Sequence, residues 1–131
     1  MKLRVRFLLL AAGISAVLLL VKETAWTEVQ TSPVVGAIAP STATAGSRSF
    51  TLTVNGLYFL RSSIVRWNDE DRPTTYVGDK VLRAEIPAGD VAWAGTALVS
   101  VFNPYPTEHY GASNRLPFYI LEKSPGGTEA R

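Results

Sequence analysis

The chain has 131 residues, of which 47% are hydrophobic and 18% charged, with thirteen Lys and Arg against eleven Asp and Glu. This length suits one domain, and the apolar share excludes a disordered acidic tail and a coiled coil. The absence of cysteine excludes a disulfide framework, a thiolate nucleophile and a Cys-based zinc or iron–sulfur site. A single histidine, His109, also excludes a His-rich metal site, so no cofactor is predicted.

The first predicted element is an N-terminal apolar helix. Residues 7–21 carry no charge, and three cations, Lys2, Arg4 and Arg6, precede them. A positive segment before an apolar one is typical of a secretory signal. The sequence pI of 9.1 reflects these cations, because the chain from Lys22 onward contains ten Lys and Arg against eleven Asp and Glu. We therefore predict that residues 1–25 are a signal peptide or membrane anchor, and that the protein is exported to the cell envelope, periplasmic or extracellular.

The sequence leaves open whether this segment is removed. Cleavage after Ala25 would place Glu23 where signal peptidases prefer a small residue. As a helix, residues 7–21 would span about 22 Å against a hydrocarbon core of roughly 30 Å, so a retained anchor would have to recruit Val5 or thin the bilayer. The protein is then either secreted or tethered to the cytoplasmic membrane, with membrane contact through residues 5–21 in the tethered form.

The rest of the chain is predicted to form short strands. Residues 26–32 are polar and predicted to be a linker, and from Pro33 onward apolar and polar residues alternate between clusters of Gly, Pro, Asn and Asp. The predicted strands are 34–38, 49–55, 64–68, 74–77, 80–86, 96–102 and 116–121. About seven strands with this spacing predict an all-β, immunoglobulin-like β-sandwich over residues 33–121. The polar tail, 122–131, is predicted to be disordered.

The alternation also predicts which side chains lie in the core. Phe50, Leu52 and Val54 share one face of their strand, and the polar residues between them share the other. Trp67 is expected to fill the centre of the sandwich, where no disulfide is available. Gly56 is expected to supply a positive φ at the exit of its strand.

An ordered set of short motifs carries a family resemblance. The motifs are Ile38-Ala39-Pro40-Ser41, Ala45-Gly46, Phe50 to Val54 running into Asn55-Gly56 with Phe59 beyond, Val65 to Asn68, Leu82 to Pro87, Gly95 to Ala97 leading into Val99 to Pro104, Ser113-Asn114, and Leu116 to Ile120. In this order they resemble a bacterial IPT/TIG domain, the immunoglobulin-like module of plexins, some transcription factors and many bacterial surface proteins. The resemblance covers about two thirds of the chain and implies an immunoglobulin-like β-sandwich. Trp93 and the aromatic loop 103–114 depart from the family's pattern.

Two groups of residues are candidates for a catalytic or metal-binding site. The acidic run Asp69-Glu70-Asp71 could offer oxygens to Ca²⁺, but it lacks the spacing of a calcium loop, and a solvated hairpin turn is favoured. His109 could be a general base with Glu108 and Ser113 nearby, but adjacency in a loop does not make a triad, and an exposed loop histidine is favoured. No phosphate-binding glycine motif occurs.

Nucleic-acid binding is not predicted. The domain from Pro33 to Leu121 has seven cations and seven anions, and a net charge of zero supplies little neutralisation of phosphates unless the cations cluster on one face. The predicted export also argues against nucleic acid as a partner.

The signal-like N-terminus, the pattern of seven strands and the lack of a catalytic set of residues predict an exported, non-catalytic IPT/TIG-like module. This module would serve in binding or as a structural spacer. Its predicted binding surface is formed by Trp93, Tyr105, His109 and Tyr110, because exposed aromatic rings are common contact residues. Tyr105 and Tyr110 could instead pack over the end of the sandwich. The partner is predicted to be an envelope protein or a polysaccharide. The alternatives are a carbohydrate-binding accessory domain and, more remotely, a small hydrolase centred on His109.

Overall fold

A computed structural model describes residues 5–10, 17–22 and 31–125, the first two ranges as backbone alone. In the apolar N-terminal segment, strand β1 (Val5–Leu10) pairs antiparallel with β2 (Val17–Lys22). The helix expected there is therefore not shown, because short apolar runs have the same pattern in a buried strand and in a buried helix. Among the described residues, none of the helices has the length and apolar character needed to cross a bilayer. The remaining residues of the expected signal or anchor, the linker residues 26–30 and the tail residues 126–131 lie outside the described ranges.

Ten further strands form two packed sheets. Their bounds are β3 (Val34–Ala39), β4 (Thr42–Thr44), β5 (Phe50–Leu57), β6 (Ile64–Trp67), β7 (Glu70–Arg72), β8 (Thr74–Gly78), β9 (Val81–Ile86), β10 (Gly95–Asn103), β11 (Gly111–Ala112) and β12 (Leu116–Leu121), with a short 3-10 helix at Ala88–Val91. One sheet has the order β4-β12-β10-β6-β7 with β11 beside β10, and the other has the order β3-β5-β9-β8. All pairs are antiparallel except β4 with β12, which is parallel. This two-sheet arrangement agrees with the predicted immunoglobulin-like fold.

The core lies between the two sheets and contains the side chains that the alternation predicted. Leu52 and Val54 of β5 are fully buried, and Phe50 packs against the cluster from its edge. Trp67 is buried, and its ring centroid lies 4.9 Å from that of Phe118, which itself stacks on Phe50 at 5.5 Å. These three rings lie together in the core between the two sheets. The prediction for Trp67 is confirmed.

Three of the ten strands have no counterpart among the seven predicted ones, namely β4, β7 and β11. The acidic run predicted as a turn is divided between a turn and a strand: Asn68 and Asp69 both have positive φ, while Glu70 begins β7 opposite Trp67. Two residues in this conformation form the tight hairpin turn whose twist matches the flanking strands. The predicted hairpin is present, and its second strand is the added element.

Gly56 has a different role from the one expected. Its φ is not among the positive ones, and the left-handed residue at this strand exit is Tyr58, with φ 64°. A Cβ at Gly56 would lie 1.8 Å from the backbone oxygen of Val34 and 2.6 Å from the ring of Phe59. Glycine is needed here because β3 and the Phe59 ring approach the backbone closely, so the expectation of a positive φ was wrong.

Candidate functional site

The four residues predicted as a binding surface lie at opposite ends of the sandwich. Trp93 comes just before β10, and Tyr105, His109 and Tyr110 follow the end of the same strand. Nine residues of strand separate these points by about 27 Å. We call the end that carries Val34, Leu57, Tyr58 and the loop 104–110 the entry end, because the chain comes into the domain there, and the end that carries the 3-10 helix and Trp93 the far end.

Trp93 is 84% exposed at the far end, directly after the 3-10 helix Ala88–Val91. The helix is held from three sides. Val91 is fully buried, and its carbonyl oxygen accepts a hydrogen bond of 2.8 Å from the amide of Gly46. Arg72 of β7 binds Asp90 through two hydrogen bonds of 2.6 and 2.8 Å. Trp93 is therefore an exposed indole on a firmly held support.

The Arg72–Asp90 pair lies in a largely solvent-excluded position, with side chains 12% and 15% exposed. Hydrogen bonding to Asp90 is the main reason that the pKa of Arg72 lies above its ordinary value, and partial burial offsets only part of this rise. Arg72 also contacts Glu70 at 3.4 Å. The pair joins β7, the edge strand of one sheet, to the 3-10 helix in the connection from β9 of the other sheet to β10.

An open groove of about 590 Å³ lies beside this connection. Its apolar walls are Pro73, Ile86 and Pro87, and its polar walls include Asp71 and Glu85. Both carboxylates already have partners on the protein, since Arg66 binds Asp71 at 2.8 Å and the Thr51 hydroxyl donates to Glu85 at 2.8 Å. The far end thus combines a protruding indole with a shallow, mixed-polarity groove.

The aromatic side chains at the entry end form a row of contacts. The Tyr105 and Tyr110 rings meet edge to face, with centroids 5.6 Å apart and planes at 87°. Tyr110 in turn meets Phe102 edge to face at 6.2 Å, and the Arg66 guanidinium lies 4.0 Å above the centre of the Phe102 ring. Tyr105 is 79% exposed and Tyr110 40% exposed. Tyr110 is therefore partly a packing residue, whereas Tyr105 projects into solvent.

Asn103, at the end of β10, holds the loop in place. Its side chain is fully buried, and its amide nitrogen donates to the carbonyl oxygens of Tyr58 and His109, both at 2.9 Å. Its amide oxygen accepts from the Ser63 hydroxyl at 2.5 Å. The amide therefore joins β10, the loop after β5 and the aromatic loop, and all of its donors are used.

His109 contacts the chain where it enters the domain. Its Nδ1 lies 2.6 Å from the Thr31 hydroxyl and 3.0 Å from the Thr31 carbonyl oxygen, and its ring packs on Tyr58 at 4.7 Å. The imidazole is 22% exposed, so it is less exposed than the loop histidine that the sequence suggested. The Ser113 hydroxyl accepts from the amide of Val101 and donates to the carbonyl of Asn114. His109 and Ser113 are thus engaged separately, and no nucleophile–base contact joins them.

Each carboxylate of the acidic run is paired with an arginine. Asp69 contacts Arg115 at 2.8 Å. Glu70 contacts Arg72, and Asp71 contacts Arg66. Among the residues that the structure describes, no group of three or more His, Asp or Glu side chains could hold a metal ion.

Comparison with known proteins identifies the family. The family model described as the IPT/TIG domain matches residues 33–119, the range that contains both sheets up to β12. The chain belongs to the IPT/TIG domain family. No curated protein matches it. Similar solved structures include an auxiliary nutrient binding protein from Bacteroides ovatus, with 15% identity and a TM-score of 0.43, covering 72% of this chain. The match spans only 21% of that protein's length.

Membership of the IPT/TIG family confirms the resemblance carried by the ordered motifs. IPT/TIG domains are immunoglobulin-like modules that are generally non-catalytic, and a binding or structural module fits this family.

Within this IPT/TIG domain, Asn103 is the residue that sequence reasoning missed. A signal existed: Asn103 shares its strand face with Val99 and Val101, so a polar side chain falls at an inward position. Such a residue must have hydrogen-bond partners inside the fold.

Proposed function

We propose that the protein is an exported, non-catalytic module of the cell envelope that presents a binding surface at its far end. The observation that carries this proposal is Trp93, an indole 84% exposed on a held support at the end opposite the chain's entry. Family membership supports a binding or structural module, and the cationic, apolar N-terminus supports export. In this arrangement the sandwich is both spacer and binding domain.

Trp93 has the physical properties of a contact residue. A tryptophan side chain presents 150–250 Å² of surface, and covering most of it would contribute about 3–5 kcal/mol before the costs of association. Tryptophan is enriched among residues that dominate binding energy. Because the Arg72–Asp90 pair and Val91 hold the preceding helix, little ordering is needed when a partner arrives.

A protein of the envelope is the partner that the geometry favours. The groove next to the 3-10 helix has apolar walls and polar edges, as expected where a segment of another protein packs. A polysaccharide would need a flat run of rings, but Tyr105 and Tyr110 stand at 87° to each other and about 27 Å from Trp93. A carbohydrate-binding accessory domain remains the second candidate, with Trp93 as the most exposed ring at the far end and Tyr119, 49% exposed and paired with Thr96 of β10, as a second one.

The N-terminal segment decides whether the module is tethered or free. Tethering requires residues 5–21 to be helical in lipid, because a two-stranded ribbon such as β1–β2 leaves unpaired backbone groups along both edges. If the segment is cleaved, the same domain is released into the periplasm or the medium. The mass of the mature protein distinguishes the two forms, and both are consistent with a role in the envelope.

Site-specific crosslinking in whole cells tests the binding site. The chain has no cysteine, so Ala94→Cys provides a single attachment point for a photocrosslinker beside Trp93. We expect an adduct of defined mass that disappears when Trp93→Ala is added. The matched control is Val77→Ala, which removes another exposed apolar side chain on the edge strand β8 and should leave the adduct unchanged.

Two outcomes would contradict the proposal. Adducts that persist unchanged after Trp93→Ala would show that Trp93 is not a contact residue, and the absence of any adduct in intact cells would leave only the spacer role. Binding of the full chain to a glycan array, abolished by Trp93→Ala, would instead establish the carbohydrate-binding function.

A further inference from the structure

The entry end carries a group of exposed apolar and aromatic side chains that the far-end binding site does not use. Tyr105 is 79% exposed, and four others are about two-fifths exposed: Tyr58, Tyr110, Leu57 and Val34. Two contacts gather them. Val34 pairs with Leu57 across β3 and β5, and Asn103 joins the Tyr58 backbone to the aromatic loop. We call these five residues the entry patch.

The chain enters the domain beside the entry patch. Thr31 is bound to His109 within the aromatic loop, and a Cβ at Gly111 would lie 3.6 Å from that of Ser32. Asn114 then holds Val35 at both its amide and its carbonyl, with hydrogen bonds of 2.9 and 2.8 Å. Residues 31–35 are thus held against residues 109–114 along the start of β3.

The length of chain before Thr31 limits how far the entry end can lie from the apolar segment. Residues 23–30 separate Lys22 from Thr31, and nine residue steps reach at most about 32 Å when fully extended. If the apolar segment is in a membrane, the entry patch is therefore held within reach of the lipid surface. Trp93 lies at the other end of the sandwich, about 27 Å from this patch along β10.

The chemistry of the entry patch matches a lipid headgroup region. Tyrosine combines an apolar ring with a polar hydroxyl and is enriched where the hydrocarbon of a bilayer meets water. Among the residues that the structure describes, the charged side chains near this end balance, with Arg61 and Lys80 against Asp79 and Glu108. A surface without net charge gains little from anionic lipid, so the aromatic rings supply the attraction.

We infer that the entry patch lies against the phospholipid headgroups of the membrane in which the protein's own N-terminal segment is anchored. This inference rests on the tethered form of the proposed function. According to this inference, Tyr105 and Tyr110 contact lipid, and Trp93 at the far end contacts the envelope protein. The contact fixes the orientation of the domain, so Trp93 points away from the bilayer.

Fluorescence quenching by lipids tests this orientation in the full chain. The protein is reconstituted into phosphatidylcholine vesicles that contain a headgroup-labelled nitroxide lipid. A fluorophore is attached either at Glu108→Cys, in the aromatic loop, or at Ala94→Cys, beside Trp93. Because each interfacial region is only about 5–8 Å thick, we expect at least about twofold more quenching at position 108 than at position 94.

A double variant separates contact through the tyrosines from simple proximity. Tyr105→Ala with Tyr110→Ala, added to the Glu108→Cys chain, should lower its quenching to the level at position 94, because the domain is then held only by its linker. Vesicle flotation of every variant is the control for anchoring. Failure to float would refute both the tethered form and this inference. Flotation with equal quenching at the two positions would overturn the inference alone and leave the anchor in place.

Discussion

Replacing Asn103 by alanine should destabilise the domain and release its aromatic loop. The change removes three hydrogen bonds of a fully buried side chain, two donated to the carbonyls of Tyr58 and His109 and one accepted from Ser63. The substitution therefore tests whether a single amide holds the entry end together.

The size of the effect follows from these three bonds. Each contributes about 1 kcal/mol net, and a buried carbonyl left without a donor costs about 1–3 kcal/mol. Allowing for water entering the space that is left, we expect the free energy of unfolding to fall by about 3 kcal/mol. For a domain of this size such a loss lowers Tm by about 12–24 °C.

Urea denaturation followed by tryptophan fluorescence measures this loss. Trp67 is 2% exposed and reports on unfolding of the core, whereas Trp93 is already in solvent. Hydrogen exchange gives a local readout, because amides of the loop 104–110 should lose protection before those of β5. Ser63→Ala is the comparison: it removes one of the three bonds of Asn103, together with the bond that the Ser63 hydroxyl accepts from the Leu60 amide, and should cost about 2 kcal/mol. A loss below about 1 kcal/mol for Asn103→Ala would refute the reasoning, because it would mean that water replaces the amide.

Three further changes test other parts of the structure. Gly56→Ala should prevent folding to the native state, because its Cβ would overlap the backbone of β3, whereas Gly89→Ala, with no atom within 4 Å, should change the urea midpoint little. Arg72→Leu should cost about 2–4 kcal/mol, since it leaves a largely buried carboxylate unpaired, and Arg115→Leu, at an exposed pair, less than about 1 kcal/mol. Because the pKa of Arg72 is raised above the ordinary value for arginine, its contribution is fully present at every pH below that ordinary value, and the Arg72→Leu difference should stay constant from neutral pH to about pH 10. Replacing the three cations before residue 7 by Glu should keep the protein in the cytoplasm, as cell fractionation would show; unchanged export would contradict the predicted signal.

The sequence predicted the sandwich well because its strands pack through alternating side chains. β5 alternates apolar and polar residues and buries the predicted face, and β10 buries Ala97, Val99 and Val101 as predicted, although Ser100 on its other face is buried as well. The strands that were missed, β4, β7 and β11, have two or three residues and few apolar side chains, so they pair through backbone groups that leave no pattern. The apolar N-terminal segment shows the opposite limit, because an uninterrupted run has no period to distinguish a strand from a helix.

The sequence predicts the exposure of the candidate residues but not their arrangement. Trp93, Tyr105 and Tyr110 are expected to be exposed aromatics, and all three side chains are exposed. Their separation depends on the length and direction of β10, which a residue-type argument does not include. The roles of His109 and Asn103 depend on contacts with residues distant in sequence, such as Thr31 and Tyr58, and local patterns do not encode such contacts.

The parallel pairing of β4 with β12 gives the domain a mechanical property. The chain enters at one end and leaves β12 at the other, so tension along the protein pulls β4 and β12 in opposite directions. Thr42, Ala43 and Thr44 lie in register with Tyr119, Ile120 and Leu121, and hydrogen bonds of 2.8 and 3.1 Å from Ala45 and Tyr119 extend the pair. Such a pull loads these bonds in shear, all at once, instead of opening them one after another. A pull between the N-terminal segment and the chain that follows β12 would therefore separate the pair only when all of these bonds fail together.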